Sequence, residues 1–189
     1  MESKLARRSL APMVKRIAKT LYLTGWISLW VQLALALVSG LVLLVAGTGR
    51  NFAEQSHPAL GVGIFWAGWG ILVLLFSVYW DFRYTRLGKR LLNPKVEIHP
   101  SKADTLGIIR LGIVVSLVGI LLTILGAGAT ASVLVAKAVS QPPGVAITDP
   151  NRIIRALDVF VMVANINGIA AHFVGAVASL WLLERVHQH

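Results

Sequence analysis

Apolar residues in this chain are gathered into long blocks. Uncharged stretches cover 21–46, 58–80, 111–136 and 159–183, each longer than the roughly 20 residues that carry an α-helix across a hydrocarbon core. Helices of soluble bundles keep a polar outer face, and none of these stretches has one. The pattern predicts an all-α fold, a four-helix transmembrane bundle with spans of about 21–46, 58–80, 108–136 and 156–183. The first 20 residues differ: Leu5, Met13, Ile17 and Leu21 recur at helical spacing among Lys4, Arg7, Arg8, Lys15, Arg16 and Lys19. That is the signature of an N-terminal amphipathic interfacial helix, an arm over 1–20 preceding a membrane domain over 21–189. The apolar run after it is too long for the h-region of a cleaved signal peptide, so span one is expected to stay attached.

A finer pattern runs inside the spans. In span four Asp158, Asn165, His172 and Ser179 follow one another at intervals of seven, with Gly168 and Gly175 on the same face. A seven-residue repeat drifts only about 20° per heptad on an α-helix, so these residues stack. Span three has the matching series Gly112, Ser116, Gly119, Thr123, Gly126 and Thr130; span one has Gly25, Ser28, Gln32 and Ser39, and span two Gly63, Gly70 and Ser77. Small residues let helix backbones approach and hydroxyls and amides bond across the contact. The seams predict a left-handed bundle with a small-residue, partly polar centre, in which Gln32, Thr123, Asn167 and Ser179 join helices.

Charge orients the bundle. The net charge is +10 and mean hydropathy +0.73, but the basic residues flank apolar spans, which suits anionic headgroups and argues against a nucleic-acid partner. The arm has six Lys and Arg, 81–107 another six, and Arg185 one more, against Arg50, Lys137, Arg152 and Arg155 on the other side. With Arg110 set aside, thirteen against four places both termini and the middle loop in the cytoplasm. Arg83, Arg86, Lys89 and Arg90 then form a basic cytoplasmic surface, and 140–151, rich in proline, an external connection. Trp26, Trp30, Tyr79, Trp80 and Tyr84 fall near the cytoplasmic span ends, where aromatic rings anchor at the headgroups.

Chemistry is narrowed by what the chain lacks. It has no cysteine, hence no thiolate metal site or cysteine nucleophile. No phosphate-cradling glycine loop, nucleophile elbow or His-Glu-x-x-His is present, so neither an enzymatic activity nor a cofactor is expected. Asp158, Asn165 and His172 are the candidate metal-contacting residues. Asp158 and His172 lie about 21 Å apart along a helix, so they would mark a pathway and not one shared site. Such oxygen and imidazole ligands suit a divalent metal such as ferrous iron or manganese. The same residues could equally serve as interhelical glue or face a partner. His187 and His189 form a terminal His-x-His, more in keeping with a solvated tail than a metal site.

The run Gly25-Trp26-Ile27-Ser28-Leu29-Trp30-Val31-Gln32, residues 121–127, Leu134-Val135-Ala136-Lys137, Ala156-Leu157-Asp158-Val159-Phe160 and Ala171-His172-Phe173-Val174-Gly175 resemble the permease-in-chloroplasts family, also called the twenty-one-kilodalton Tic subunit family. The resemblance covers 22–183 and is specific in spans one and four. It implies a four-span protein of a chloroplast envelope or cyanobacterial membrane, either a permease for iron or a subunit in protein import. The N-terminal residues look like those of cyanobacterial members, implying the plasma membrane or thylakoid. The chain departs from the family pattern at Gly128 and Val163, where relatives often carry polar side chains. The expectation is therefore a permease-like homo-oligomer with a divalent metal as substrate, or else a non-transporting subunit or assembly factor of a larger membrane complex.

Overall fold

The computed structural model describes residues 12–51, 58–93, 101–140 and 153–188. Among the described residues four helices make up the fold: α1 (Pro12–Asn51), α2 (Pro58–Leu92), α3 (Lys102–Val139) and α4 (Ala156–His187). Pro12 and Pro58 are the first described residues of α1 and α2, and proline is accommodated in the first turn of a helix, where its missing N–H is no loss. The α2 helix stops just ahead of Asn93 and Pro94, and a residue before proline disfavours helical backbone. At the start of α3 the Ser101 hydroxyl accepts from the Asp104 N–H at 3.1 Å while the Asp104 carboxylate accepts from the Ser101 N–H at 3.3 Å, a reciprocal cap.

All four helices are long and apolar enough to cross a membrane, and they overrun the expected spans at their polar ends. The largest overrun is at the C-terminal end of α2, which continues from residue 80 to Leu92. At the N-terminal side, residues 12–20 of the expected arm extend α1 without a break, and Ala18 and Leu21 pack into the core. The arm's residues 1–11, with Lys4, Arg7 and Arg8, lie outside the described residues, as do the loop at 141–152 and His189.

The helices run up and down in sequence. Each of α1 and α3 packs against both α2 and α4, and α2 meets α4 across the diagonal. Buried positions on α3 are Thr105, Ile109, Gly112, Ser116, Gly119, Thr123, Gly126, Thr130, Val133 and Lys137, spaced alternately four and three. On α4 the buried series includes Asp158, Asn165, Gly168, His172, Gly175, Ser179, Leu182 and Val186. Small and polar residues thus face inward, whereas Leu37, Leu41, Val114, Leu117, Leu121, Phe173 and Leu180 face outward. This arrangement inverts a soluble bundle and suits a lipid surround, where tight backbone approach takes over from apolar burial as the packing force.

The basic end of the bundle has the largest apolar cluster, built on Leu21, Tyr84, Leu87, Ile109 and Leu182. Two aromatic residues expected as headgroup anchors belong to it. Trp80 is buried and donates its Nε1–H to the Ile108 carbonyl at 2.7 Å; Tyr84 is fully buried, its hydroxyl 3.0 Å from the Ser179 Oγ. Their rings point inward because α2 continues past residue 80, so this turn packs on α3 and α4 instead of ending at the headgroups. Trp30 and Tyr79 do face outward, and Trp26 stacks on Trp30 with ring centroids 5.8 Å apart.

Candidate functional site

Polar side chains from all four helices meet along the bundle axis. Gln32 on α1, Ser77 and Asp81 on α2, Ser116 on α3, and Asn165 and His172 on α4 are all buried. The Gln32 amide nitrogen donates to the Ser28 Oγ at 2.9 Å and to the Asp81 carboxylate at 2.6 Å. Opposite, Gly175 leaves room for this group: a Cβ there would press on the Gln32 Nε2, the Ser116 Oγ and the Ser77 Oγ. Asp81 was not among the expected site residues because a carboxylate directly after an apolar run reads as the start of a loop. Its helical spacing from Ser77, four residues earlier on the same inward face, was the available signal.

One turn along, the His172 ring lies in the notch left by Gly119, where any Cβ would overlap it. Its Nε2 is 3.2 Å from the Gly70 carbonyl oxygen. A carbonyl only accepts, so Nε2 carries the proton and a neutral ring has Nδ1 as an acceptor. Asn165 repeats the device at Gly126: its Oδ1 fills the space a Cβ would need, and its Nδ2 donates to the Val161 carbonyl at 3.0 Å. Thr123, between these levels, bonds the Gly119 carbonyl of its own helix at 2.8 Å and sets its methyl group against Gly70 and Gly168. Ser179 is buried on the seam, whereas Asn167 is half-buried and lies off it.

Asp158 closes the far end of the row. Its carboxylate accepts from the Arg155 N–H at 3.1 Å, capping α4, and pairs with the buried Lys137 ammonium at 2.5 Å. Lys137, counted among the cations between spans three and four, occupies the last turn of α3 and turns inward. Asp158, Asn165 and His172 remain on separate levels of one face. Among the described residues no three His, Asp or Glu side chains come together as a metal-holding group.

Among the described residues five buried polar atoms have no hydrogen-bond partner: Gln32 Oε1, Ser39 Oγ, Ser116 Oγ, Asn165 Oδ1 and His172 Nδ1. Of these, the Gln32, Ser116, Asn165 and His172 atoms belong to the row just described. At the basic end Arg83, Arg86, Lys89 and Arg90 occupy the last turns of α2, with Arg83 lying over the Trp80 ring at 4.4 Å, Arg86 over Phe82 at 4.7 Å and Lys89 over Tyr22 at 5.6 Å.

Fold and site together define a bundle of four candidate membrane spans with polar side chains at successive levels of its centre and an outer surface suited to lipid. Over residues 11–187 the chain belongs to the family described as Protein of unknown function (DUF3611). It is also 31% identical over 195 aligned positions to the protein TIC 21, chloroplastic, of Arabidopsis thaliana, covering 98% of this chain and 64% of that protein. The chain therefore spans somewhat less than two thirds of its relative's length. No solved structure matches.

Proposed function

We infer that this chain is a permease-like integral membrane protein that passes a divalent cation, ferrous iron or a metal of similar chemistry, along the polar row at the centre of its bundle. The observation that carries this reading is the set of partnerless acceptors, Gln32 Oε1, Ser116 Oγ, Asn165 Oδ1 and His172 Nδ1. A buried polar atom without a partner costs about 1–3 kcal/mol, so a row of them in a helical bundle calls for a transient ligand. Amide and hydroxyl oxygens with an imidazole nitrogen are ligands a divalent first-row metal accepts. Asp81 adds a carboxylate to the row. The spread of these atoms over several levels supports stepwise passage.

Passage requires α3 and α4 to part where His172 and Asn165 sit against Gly119 and Gly126. The Lys137–Asp158 pair holds the two helices together at one end and acts as the closing contact. Four spans offer little wall for a gated path, so the working unit is a homo-oligomer. Its membrane is the plasma membrane or thylakoid of a cyanobacterium, and the basic end of the bundle faces the cytoplasm. No catalysis or resident cofactor enters this scheme.

A second reading, a non-transporting subunit of a protein translocon or a photosynthetic-complex assembly factor, is favoured by the close seating of side chains against glycine at each level. The two separate in ferrous-iron uptake by liposomes containing the full chain, compared at equal incorporation with Asn165→Ala and His172→Ala. Uptake above empty liposomes, falling about tenfold in either variant while its fold is retained, supports the permease. No uptake by the wild-type protein, with orientation and membrane integrity verified, moves the reading to the assembly subunit.

A further inference from the structure

Outside the polar row, the basic end of the bundle contains a pocket of about 320 Å³ between α2 and α3, lined by Tyr79, Arg83, Arg86, Leu87, Arg90 and Ile108. Tyr79, Arg83, Arg86 and Arg90 follow one helix face at intervals of four, three and four, so their side chains stand in a line down that wall. Among the described residues no carboxylate lines the pocket.

Two of the guanidinium groups are positioned before any ligand arrives. Arg83 lies over the Trp80 ring, and Trp80 is itself fixed by donating to the Ile108 carbonyl at 2.7 Å. Arg86 lies over Phe82 at 4.7 Å. A guanidinium held on an aromatic face keeps its N–H groups free to meet a phosphate in the bidentate manner that favours arginine over lysine, and groups already in place lose less freedom on binding. Leu87, Ile108 and the Tyr79 ring make the remaining wall apolar. The pocket also adjoins the outward apolar surface of α2, where Phe76 and Tyr79 are exposed.

We propose that this pocket is a binding site for the headgroup of an anionic phospholipid, its phosphate taken by Arg83, Arg86 and Arg90 and its acyl chains running back along the exposed aromatic face of α2. The combination of a row of guanidinium groups with an apolar wall continuous with the lipid-facing surface selects a lipid over a free anion. It does not depend on what passes through the bundle.

The test is native mass spectrometry of the full chain in detergent, titrated with phosphatidylglycerol or with phosphatidylcholine. Retention of phosphatidylglycerol in preference to phosphatidylcholine is expected. Arg83→Gln with Arg86→Gln should weaken it about tenfold, and Arg90→Gln, which among the described residues stacks on no ring, should weaken it several-fold with the fold intact. Lys15→Gln with Lys19→Gln, which removes two charges from the same end away from the pocket, should change it less than twofold. Equal retention of the two lipids, or equal losses in the arginine and lysine pairs, would overturn the proposal. Displacement by millimolar inorganic phosphate would reassign the pocket to a free anion, and displacement by a glutamate-rich peptide but not by phosphate would reassign it to a protein partner.

Discussion

The Gln32 amide nitrogen lies 2.6 Å from the Asp81 carboxylate, joining α1 to α2 across the middle of the bundle between residues 49 positions apart in the chain. Among the described residues Asp81 has no ion-pair partner, and its buried carboxylate is held by this amide together with the Ser28 hydroxyl. The same nitrogen reaches the Ser28 hydroxyl, which fixes the amide's orientation, and among the described residues the buried Oε1 has no partner.

Replacing Gln32 by Leu takes the amide donor away from the buried Asp81 carboxylate. A hydrogen bond to a charged group contributes about 1.5–3 kcal/mol, and Gln32→Leu is expected to lower stability by about that amount. The double variant Gln32→Leu with Asp81→Leu should lie closer to wild type than Gln32→Leu alone, because removing both partners leaves no orphan. Thermal unfolding in detergent with the full double-mutant cycle measures this; a double variant less stable than the single one would contradict the pairing.

Two glycines on α3 make a controlled comparison. A Cβ at Gly119 would overlap the His172 ring, whereas one at Gly128 would meet nothing within 4 Å. Overpacking of this kind costs about 1–3 kcal/mol, so Gly119→Ala should destabilise by that much. In Gly128→Ala the helix gains about 0.5–1 kcal/mol from the lost backbone freedom of glycine. Combining Gly119→Ala with His172→Ala should recover part of the loss, and unfolding midpoints of the four proteins decide the matter.

The Lys137–Asp158 pair should behave as a buried ion pair. Lys137→Met leaves Asp158 charged and enclosed, at a cost of about 3–5 kcal/mol. Adding Asp158→Leu should recover much of it, though incompletely, because Asp158 also caps α4 through the Arg155 N–H. Hydrogen exchange at the first turn of α4 separates the two roles: the capping loss should accelerate exchange there only when Asp158 is changed.

Much of this architecture could be read before any fold was known. Gly112, Ser116, Gly119, Thr123, Gly126 and Thr130 interrupt an apolar span at alternating spacings of four and three, and all are buried on α3. A lipid-facing position has no use for a glycine or a hydroxyl at such regular intervals, so the pattern itself marks the contact face. Asn165 and His172 were legible for the same reason. Asn167 was not, because it stands two residues from Asn165, a spacing that turns it off the seam. Asp81, Trp80 and Tyr84 were misread because a charge after an apolar run resembles the end of a span, while the helix in fact continues to Leu92.

The sequence by itself determined the number of long helices, their apolar stretches and the face each turns inward. These follow from hydropathy and from side-chain periodicity along a single helix, both local quantities. Only the tertiary structure decided that Gln32 meets Asp81, that Lys137 meets Asp158, that His172 and Asn165 lie against Gly119 and Gly126, and that Arg83, Arg86 and Arg90 wall a pocket with Ile108. Each of these depends on the axial offset and rotation of one helix against another. Those offsets are set by the packing of small residues at every level of the bundle at once, which no single segment of the chain contains.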